Sequence, residues 1–359
     1  MITDKVLMKG NEAFAEAAIR GGARLYFGYP ITPQSEVPEY MSRELPKHGG
    51  YFVQAESELG AINMSYGAGA AGGTVFISSS SPGIALMQEG MSFLCSAEVP
   101  LLVMNVSRGG PGIGGIQPGQ ADYYQVTRGG GNGDYRIPVF APASIQEAVD
   151  ILYEAPSIAD RYRNPVMVLA DGLMGQMMEP VVLPEEKHAL TSDEIPAAKP
   201  WAISGSEKGE RSVVKSLRLQ PEVLEAHVEH LYEKYAAMEK ELERVECENL
   251  EDAEVVFVAF GTMARLAREA MELLEAQGIK AGLIRPISLW PYPYAAFDQL
   301  SDKTKAVVSV ELSMGQMLQD INLGVKGRVP VRLVHRVGGM LPTSIEVVEK
   351  TKKILEEVR

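Results

Sequence analysis

The chain has 359 residues and 46% of them are hydrophobic, which predicts about two domains with packed cores. It carries 34 Lys and Arg against 47 Asp and Glu, and the net charge of −13 argues against nucleic acid or an anionic membrane as the main partner. Its 2 cysteines, Cys95 and Cys247, exclude a disulfide framework and are too few for an iron–sulfur cluster, which needs about four thiolates. Residues 1–5 lack a signal-peptide pattern and no apolar run has membrane-spanning length, so we expect a soluble, cytoplasmic protein.

The first half of the chain predicts a parallel sheet covered by helices on both faces, because short β-branched or aromatic runs alternate with longer segments of helical period. The predicted strands are 24–28, 51–54, 74–78, 101–106, 137–141 and 166–170. A helix over 11–20 is closed by two glycines, and Ser144 and Glu147 have the spacing of a capping box. We therefore predict a doubly wound α/β domain over residues 1–178.

A linker and a charged helix are predicted between residues 179 and 250. The segment from Pro180 to about Arg211 carries prolines, charges and a run of small residues without helical period. Residues from about 221 to 248 then form a charged helix whose apolar stripe needs a partner surface.

A second, smaller α/β domain is predicted over residues 251–359, where strands and helices alternate again. Its predicted strands are 255–260, 280–285, 306–310 and 331–334. Its predicted helices are 263–277, 315–323 and 344–357.

Glu56 and Glu58 lie in the turn after strand 51–54, at the carboxyl edge of the sheet, where open α/β folds bind their ligands. Glu56 is explained as a solvated carboxylate favoured by the helix dipole. Glu58 enters a helix whose residues 67–73 are all Gly or Ala, and so little bulk lets a flat ligand or another backbone come close. Its carboxyl group could share a proton with a ring nitrogen, although tight packing alone also explains the glycines.

Two further loops follow strands at the same edge. In the loop 29–35, prolines fix the backbone and Thr32 offers a hydroxyl, which could equally cap a helix beginning at the next residue. In the loop 105–115, Arg108 is the single basic residue among glycines, and its guanidinium suits bidentate capture of a carboxylate. A solvated arginine on a mobile loop is the alternative.

Other signals are weaker. The serine-rich turn containing Ser81 could offer backbone amides to an anion, but such turns are usually only turns. His227 and His230 make at most two ligands, so we predict no metal site.

Four of these motifs together resemble the alpha subunit of the 2-oxoacid:ferredoxin oxidoreductases. They are Tyr-Pro-Ile-Thr-Pro at 29–33, Glu-Ser-Glu at 56–58, Ser-Ser-Pro-Gly at 80–83 and Asn-Val-Ser-Arg-Gly-Gly-Pro at 105–111. The resemblance covers essentially the whole chain and is greatest to the branched-chain type, which acts on 3-methyl-2-oxobutanoate (2-ketoisovalerate). The later block resembles the transketolase C-terminal-like domain of these subunits, with Glu-Leu-Ser-Met-Gly-Gln at 311–316 in the expected place.

The resemblance implies a thiamine diphosphate pyrimidine-binding domain over residues 1–178 and CoA-dependent oxidative decarboxylation of the 2-oxo acid with reduction of ferredoxin. By that resemblance, Glu58 would hydrogen-bond the pyrimidine ring and promote the tautomer that removes the thiazolium proton. Thr32 and Arg108 match positions that contact the substrate. The family's cofactor-binding positions fall on Tyr29, Pro30, Glu58 and Ser81.

One motif of thiamine diphosphate enzymes is absent from the sequence. They bind the magnesium diphosphate through Gly-Asp-Gly followed downstream by Asn, whereas here Asp171 is preceded by Ala170 and no Asn occurs between Asn164 and Asn249. We therefore expect a beta subunit to carry the diphosphate site with Mg²⁺, and partner subunits to carry 4Fe–4S clusters. Gamma and ferredoxin-like subunits and ferredoxin complete the expected partners, with coenzyme A as co-substrate.

The substrate and the role of the chain leave alternatives open. A 2-oxoglutarate enzyme needs a second cationic group, yet Arg108 is the only basic residue in 29–36 and 107–125, which favours an apolar substrate tail. Arg128 or a partner residue could still supply the charge, so 2-oxoglutarate is the alternative substrate. A non-catalytic assembly subunit is a further hypothesis, while a nicotinamide-dependent dehydrogenase is disfavoured by the missing dinucleotide fingerprint.

Overall fold

The computed structural model describes residues 5–203, 205 and 212–358, which form three β-sheets flanked by helices. Ser204 and residues 206–211 of the predicted linker lie outside the described residues. The strands are β1 (Val6–Lys9), β2 (Leu25–Gly28), β3 (Tyr51–Gln54), β4 (Val75–Ser79), β5 (Leu101–Ser107), β6 (Val139–Phe140), β7 (Pro165–Asp171), β8 (Met178–Val181), β9 (Val245–Glu248), β10 (Val255–Val258), β11 (Ala281–Pro286), β12 (Ser288–Trp290), β13 (Ala306–Glu311) and β14 (Val331–His335). The α-helices are α1 (Gly10–Arg20), α2 (Glu36–Glu44), α3 (Glu58–Ala70), α4 (Ser81–Ala97), α5 (Tyr123–Arg128), α6 (Ile145–Tyr162), α7 (Gly172–Gln176), α8 (Ile195–Ala198), α9 (Pro221–Leu242), α10 (Thr262–Glu275), α11 (Leu318–Val325) and α12 (Ser344–Glu357).

The first sheet has seven strands in the order β12-β6-β7-β5-β4-β2-β3, and every neighbouring pair is parallel except β12 with β6. Its central strands β5 and β7 are buried along their whole length, as apolar strands covered on both faces should be. Helices α1, α2 and α6 pack on one face and α3 and α4 on the other. The predicted doubly wound α/β fold is confirmed.

The second sheet has five strands in the order β14-β13-β10-β11-β9, of which only β9 runs antiparallel to its neighbour. Helices α10 and α12 cover one face, while α11 packs in the same apolar cluster as α3 and α4. The two sheets therefore share a core. The ring of Tyr123 lies 5.9 Å from that of Phe260, centroid to centroid, where the two halves of the chain meet.

The structure corrects several predicted elements. The predicted helix over 221–248 ends at Leu242, and residues 245–248 form strand β9. Strands β1 and β8, which pair with each other, were not predicted from the sequence. Strand β12 was not predicted either, and it extends the first sheet although it lies within the second block of the chain.

The apolar stripe of α9 packs against the protein core only over the second half of the helix. Leu231, Tyr235 and Met238 are buried in the core beneath α6, and the Tyr235 ring meets Trp290 edge-on at 6.1 Å. Val223 and Leu224, nearer the start of the helix, are exposed. Within the part of the chain that the structure describes, no helix combines the length and apolarity needed to cross a lipid bilayer.

Candidate active site

Four loops meet at the carboxyl edge of the seven-stranded sheet. Strands β3, β2, β4 and β5 are adjacent and parallel, so the segments that follow them lie side by side. These segments carry the four motifs that the sequence analysis singled out. Open α/β folds bind their ligands at this edge.

Glu58 is the first residue of α3, and most of its surface is buried. Ser57 caps this helix by accepting a hydrogen bond from the Gly60 N–H at 3.1 Å. Glu58 is 6% exposed, and none of the described residues donates a hydrogen bond to its carboxylate. A Cβ atom at Gly83 would lie 2.5 Å from Glu58 Oε1, so the carboxylate rests against the backbone of α4. Glu56, in the same turn, is exposed.

This environment fits the aminopyrimidine ring of thiamine diphosphate. Neither Glu58 oxygen is among the fully buried atoms that lack a partner, so a ligand can reach the carboxylate, and a protonated ring nitrogen would donate a hydrogen bond to it. A Cβ atom at position 83 would clash with Ser79 Oγ at 2.1 Å, so glycine there lets the Ser79 and Glu58 side chains lie against the start of α4. The hydroxyls of Ser79 and Ser80 nearby are fully buried and have no partner in the described chain.

Arg108 holds two loops together at the same edge. Its Nη1 donates to the Thr32 backbone carbonyl at 2.7 Å, and its Nη2 donates to the Ile113 carbonyl at 2.8 Å. Arg108 is 8% exposed, so the alternative of a solvated arginine is wrong. Two of the five N–H donors of the guanidinium serve these loops, and Nε has no partner in the described chain.

Thr32 is near Arg108 through its backbone, while its side chain is exposed. Helix α2 begins only at Glu36, so the alternative that Thr32 caps a helix starting at Pro33 is wrong. The structure thus brings Thr32 and Arg108 together. It leaves the Thr32 hydroxyl free of a helix-capping role.

Ser81 connects the start of α4 to the Arg108 loop through a buried acid. Its hydroxyl donates to Asp122 Oδ2 at 2.7 Å and accepts from the Arg108 N–H at 3.0 Å. Asn105 Nδ2 donates to the same oxygen of Asp122 at 2.9 Å. Burial raises the pKa of Asp122, and these hydrogen bonds oppose the rise. We did not predict Asp122, although it is the only acidic residue between positions 107 and 125, a signal that could have identified it.

Gln34 fastens the loop 29–35 to the sheet beneath it. Its Oε1 accepts from Ser78 Oγ at 2.6 Å, and the Ser78 oxygen lies 2.8 Å from the Tyr26 hydroxyl. Gln34 is fully buried, yet its Nε2 has no partner among the described residues. By contrast Tyr29 and Pro30 are exposed, and their cofactor-binding role stays a prediction.

A cleft of about 940 Å³ opens beside Ser81 and Asp122. Its walls are the start of α4, the glycine-rich loop after β5, and residues 312–316 and 337–338 of the second domain. Gln316 of the second domain binds the segment around α5. Its Oε1 accepts a hydrogen bond from the Tyr124 N–H, and its Nε2 donates to the Ala121 carbonyl, both at 2.7 Å. Both halves of the chain therefore shape the cleft.

Asp171 is already engaged and presents no free carboxylate. It caps α7 by accepting from the N–H groups of Leu173 and Met174 at 3.0 and 3.1 Å, and the Thr262 hydroxyl donates to its second oxygen. Burial raises the pKa of Asp171, and these hydrogen bonds, which lower it, only partly offset the rise. Among the residues described here, no group of three or more His, Cys, Asp or Glu side chains is placed to hold a metal ion.

Arg128 is paired with a buried acid of the second domain. Its Nη2 lies 2.7 Å from Asp320 Oδ2, and Asp320 is fully buried. The Tyr123 hydroxyl donates to Oδ2 of the same carboxylate at 2.6 Å, and the Tyr294 hydroxyl donates to its Oδ1 at 2.5 Å. This cluster joins the two domains next to the cleft.

Two family models match most of the chain. Residues 16–246 match the thiamine diphosphate-binding domain of the pyruvate flavodoxin/ferredoxin oxidoreductases, and residues 253–347 match core domain II of pyruvate:ferredoxin oxidoreductase. The fold and the site thus define a thiamine diphosphate-dependent oxidoreductase subunit. The chain belongs to the 2-oxoacid:ferredoxin oxidoreductase family, as its sequence motifs predicted.

The curated relatives include subunits named for two different 2-oxo acids. The chain is 46% identical over 348 residues to ketoisovalerate oxidoreductase subunit VorB of Methanothermobacter thermautotrophicus, covering 97% of each chain. It is 36% identical to 2-oxoglutarate synthase subunit KorA of Methanocaldococcus jannaschii, covering 93% of this chain and 95% of the relative. Both relatives are named as subunits.

One solved structure contains the fold of nearly this whole chain. The 2-oxoglutarate:ferredoxin oxidoreductase from Magnetococcus marinus, with 2-oxoglutarate, coenzyme A and succinyl-CoA bound, superimposes with a TM-score of 0.86 at 27% identity. The match covers 99% of this chain and 66% of that one. A split-gene transketolase, at 18% identity and a TM-score of 0.60, shares the fold.

Proposed function

We propose that the chain is the alpha subunit of a cytoplasmic 2-ketoisovalerate:ferredoxin oxidoreductase. The reaction is the CoA-dependent oxidative decarboxylation of 3-methyl-2-oxobutanoate to isobutyryl-CoA and CO₂, with electrons passed to ferredoxin. The observation that carries the proposal is the 46% identity to a ketoisovalerate subunit over 97% of the chain, against 36% to a 2-oxoglutarate subunit.

Glu58 is assigned to the cofactor's aminopyrimidine ring. Its carboxylate is buried at the start of α3 and lacks a donor in the described chain, so it would accept a hydrogen bond from the ring and hold a proton there. When bound, thiamine diphosphate supplies the nucleophilic carbon that attacks the 2-oxo carbon and accepts the electron pair left when CO₂ departs. Ser81, Tyr29 and Pro30 are proposed to contact the same cofactor.

Arg108 and Thr32 are assigned to the substrate. Arg108 is already fixed by two backbone carbonyls, so its remaining donors are oriented before a 2-oxo acid arrives and little freedom is lost on binding. The exposed Thr32 side chain, one loop away, would contact the 2-oxo group.

The surroundings of these residues support an uncharged substrate tail. Arg128, the other candidate for a distal carboxylate, donates through Nη2 to the buried Asp320 and does not line the cleft. None of the described residues that line the cleft is basic. A 2-oxoglutarate tail would therefore lack a cationic partner from this chain.

The remaining parts of the active site are assigned to partner subunits. Asp171 is engaged in capping α7 and in binding Thr262, which supports a beta subunit that holds the diphosphate and Mg²⁺. The 2 cysteines of the chain support 4Fe–4S clusters on other subunits, with gamma and ferredoxin-like subunits completing the path to ferredoxin.

Kinetics of the assembled complex test this function. We expect the highest kcat/KM with 2-ketoisovalerate among 2-ketoisovalerate, pyruvate and 2-oxoglutarate, measured as CoA-dependent reduction of ferredoxin. Glu58→Ala should abolish turnover while the complex still assembles, and Glu56→Ala, its exposed neighbour, is the matched control. A preference for 2-oxoglutarate would support the alternative substrate, and near-normal turnover of Glu58→Ala would remove the role given to Glu58.

A further inference from the structure

Ile113 is the one large side chain in the glycine-rich loop 109–115. The loop has a defined shape, because the Gly115 N–H donates to the Gly109 carbonyl at 2.8 Å. Gly112 and Gly114, on either side of Ile113, have φ values of +68° and +58°, which favour glycine. A Cβ at Gly114 would lie 1.9 Å from the Gly109 carbonyl oxygen. The turn therefore presents Ile113 in a fixed place.

That place is next to Arg108 and beside the cleft. Arg108 Nη2 donates a hydrogen bond to the Ile113 carbonyl at 2.8 Å. Ile113 is thereby held next to the guanidinium that is assigned to the substrate carboxylate. The Ile113 side chain is 82% exposed and lines the cleft. In a 2-oxo acid the tail starts at the carbon next to the carbonyl, so it lies close to any group that the carboxylate contacts.

The cleft around Ile113 suits an uncharged group. Among the described residues that line it, Asp122 is the only ionisable one, and its carboxylate is buried against Ser81 and Asn105. An anionic tail would find no cation there. A branched aliphatic tail would instead bury its methyl groups against Ile113.

We propose that Ile113 determines substrate specificity by contacting the tail of the 2-oxo acid. This inference rests on the proposed function, because it takes Arg108 as the carboxylate-binding residue. It assigns to this chain a contact that distinguishes an isopropyl group from a methyl group and from a carboxylate.

The test uses the assembled complex and compares 2-ketoisovalerate, pyruvate and 2-oxoglutarate. Ile113→Ala should lower the ratio of kcat/KM for 2-ketoisovalerate to that for pyruvate by about tenfold, the size of effect that a few buried methyl groups produce. Ile113→Val should keep most of the ratio. Ile113→Lys should reduce 2-ketoisovalerate turnover and raise the relative kcat/KM for 2-oxoglutarate about tenfold or more.

The matched controls are Ile116→Ala and Ile116→Lys. Ile116 lies in the same segment and is 57% exposed, but it does not line the cleft. Its variants should leave the substrate ratios of the wild type unchanged. Equal loss for all three substrates in the Ile113 variants, or the same shift in the Ile116 variants, would overturn the proposal. Wild-type complex that turns over none of the three acids would instead overturn the proposed function itself.

Discussion

At the scale of single residues, burial separates two acids that the sequence places in one turn. Glu56 is exposed, whereas Glu58 is buried against Gly83 without a donor from the described chain. The sequence predicted this difference, because Glu58 enters a helix that is rich in glycine and alanine, but it could not show how the Glu58 side chain is oriented against Gly83. That orientation depends on the contact between α3 and α4, which is tertiary.

The role of Glu58 can be measured at the cofactor itself. In the complex loaded with thiamine diphosphate and Mg²⁺, Glu58→Gln should slow exchange of the thiazolium C2 proton with solvent by about 10²–10⁴-fold, the usual contribution of a positioned acid or base. Quenched-flow exchange followed by NMR measures this rate. Glu56→Gln should exchange like the wild type, and an unchanged rate in Glu58→Gln would refute the assignment.

Asp122 should give the stability of the chain a particular pH dependence. Its folded-state pKa is raised from 3.8 by burial, so the unfolded chain ionises first as the pH increases. The free energy of unfolding of the wild type should therefore fall, relative to Asp122→Asn, as the pH rises from 3.8 through the raised value, and then stay constant.

Urea unfolding at several pH values checks this expectation. The exposed Asp134→Asn serves as the control for removing one negative charge from a neighbouring loop. A wild-type stability that rises over this window relative to Asp122→Asn would show that the hydrogen bonds from Ser81 and Asn105 outweigh burial.

At the scale of elements, the sequence predicts those that carry their own signal. The buried central strands β5 and β7 are apolar over residues 101–104 and 165–170, and helix α12 was predicted with the bounds that it has. The errors are at short edge strands. β1, β8 and β12 have 3 or 4 residues each, and each exists because a distant segment pairs with it, which a local pattern cannot reveal.

The cluster around Asp320 should contribute to the docking of α11 on α5. Arg128→Ala leaves a fully buried carboxylate with one charged donor fewer, so we expect a loss of roughly 1.5–3 kcal/mol in the free energy of unfolding. Arg161→Ala, which breaks an exposed pair with Glu241, should cost less than about 1 kcal/mol. Chemical denaturation compares the two.

Arg128→Ala also tests the substrate specificity of the assembled complex. If Arg128 serves only Asp320, then Arg128→Ala should keep the order of preference among the 2-oxo acids. A selective loss of 2-oxoglutarate turnover would instead place Arg128 in the substrate site.

At the scale of the whole molecule, the sequence predicted that four motifs meet at one edge of the sheet, but it predicted only part of the candidate site that the structure shows there. Motifs on four loops could be placed together because parallel strands end at one edge. The cleft could not be predicted, since it needs residues 312–316 and 337–338 of the second domain. Gln120, Gln316 and Asp320, which dock that domain, look like ordinary polar residues in the sequence.

The chain alone should bind the cofactor poorly, because Asp171 is engaged and the described residues offer no metal cluster. Adding Mg²⁺ and thiamine diphosphate should shift the Tm of the isolated chain by less than about 1 °C, whereas the assembled complex should be stabilised. Differential scanning fluorimetry measures both. A large shift for the isolated chain would place a complete diphosphate site on it.

The central claim is that this chain supplies a catalytic half of the active site. Its most direct test is CoA-dependent reduction of ferredoxin by 2-ketoisovalerate, measured with the partner subunits alone and again after this chain is added. The account predicts no turnover from the partners alone and full turnover on addition of the wild-type chain, but none with Glu58→Ala. Turnover by the partners alone would contradict the account and make this chain an assembly subunit.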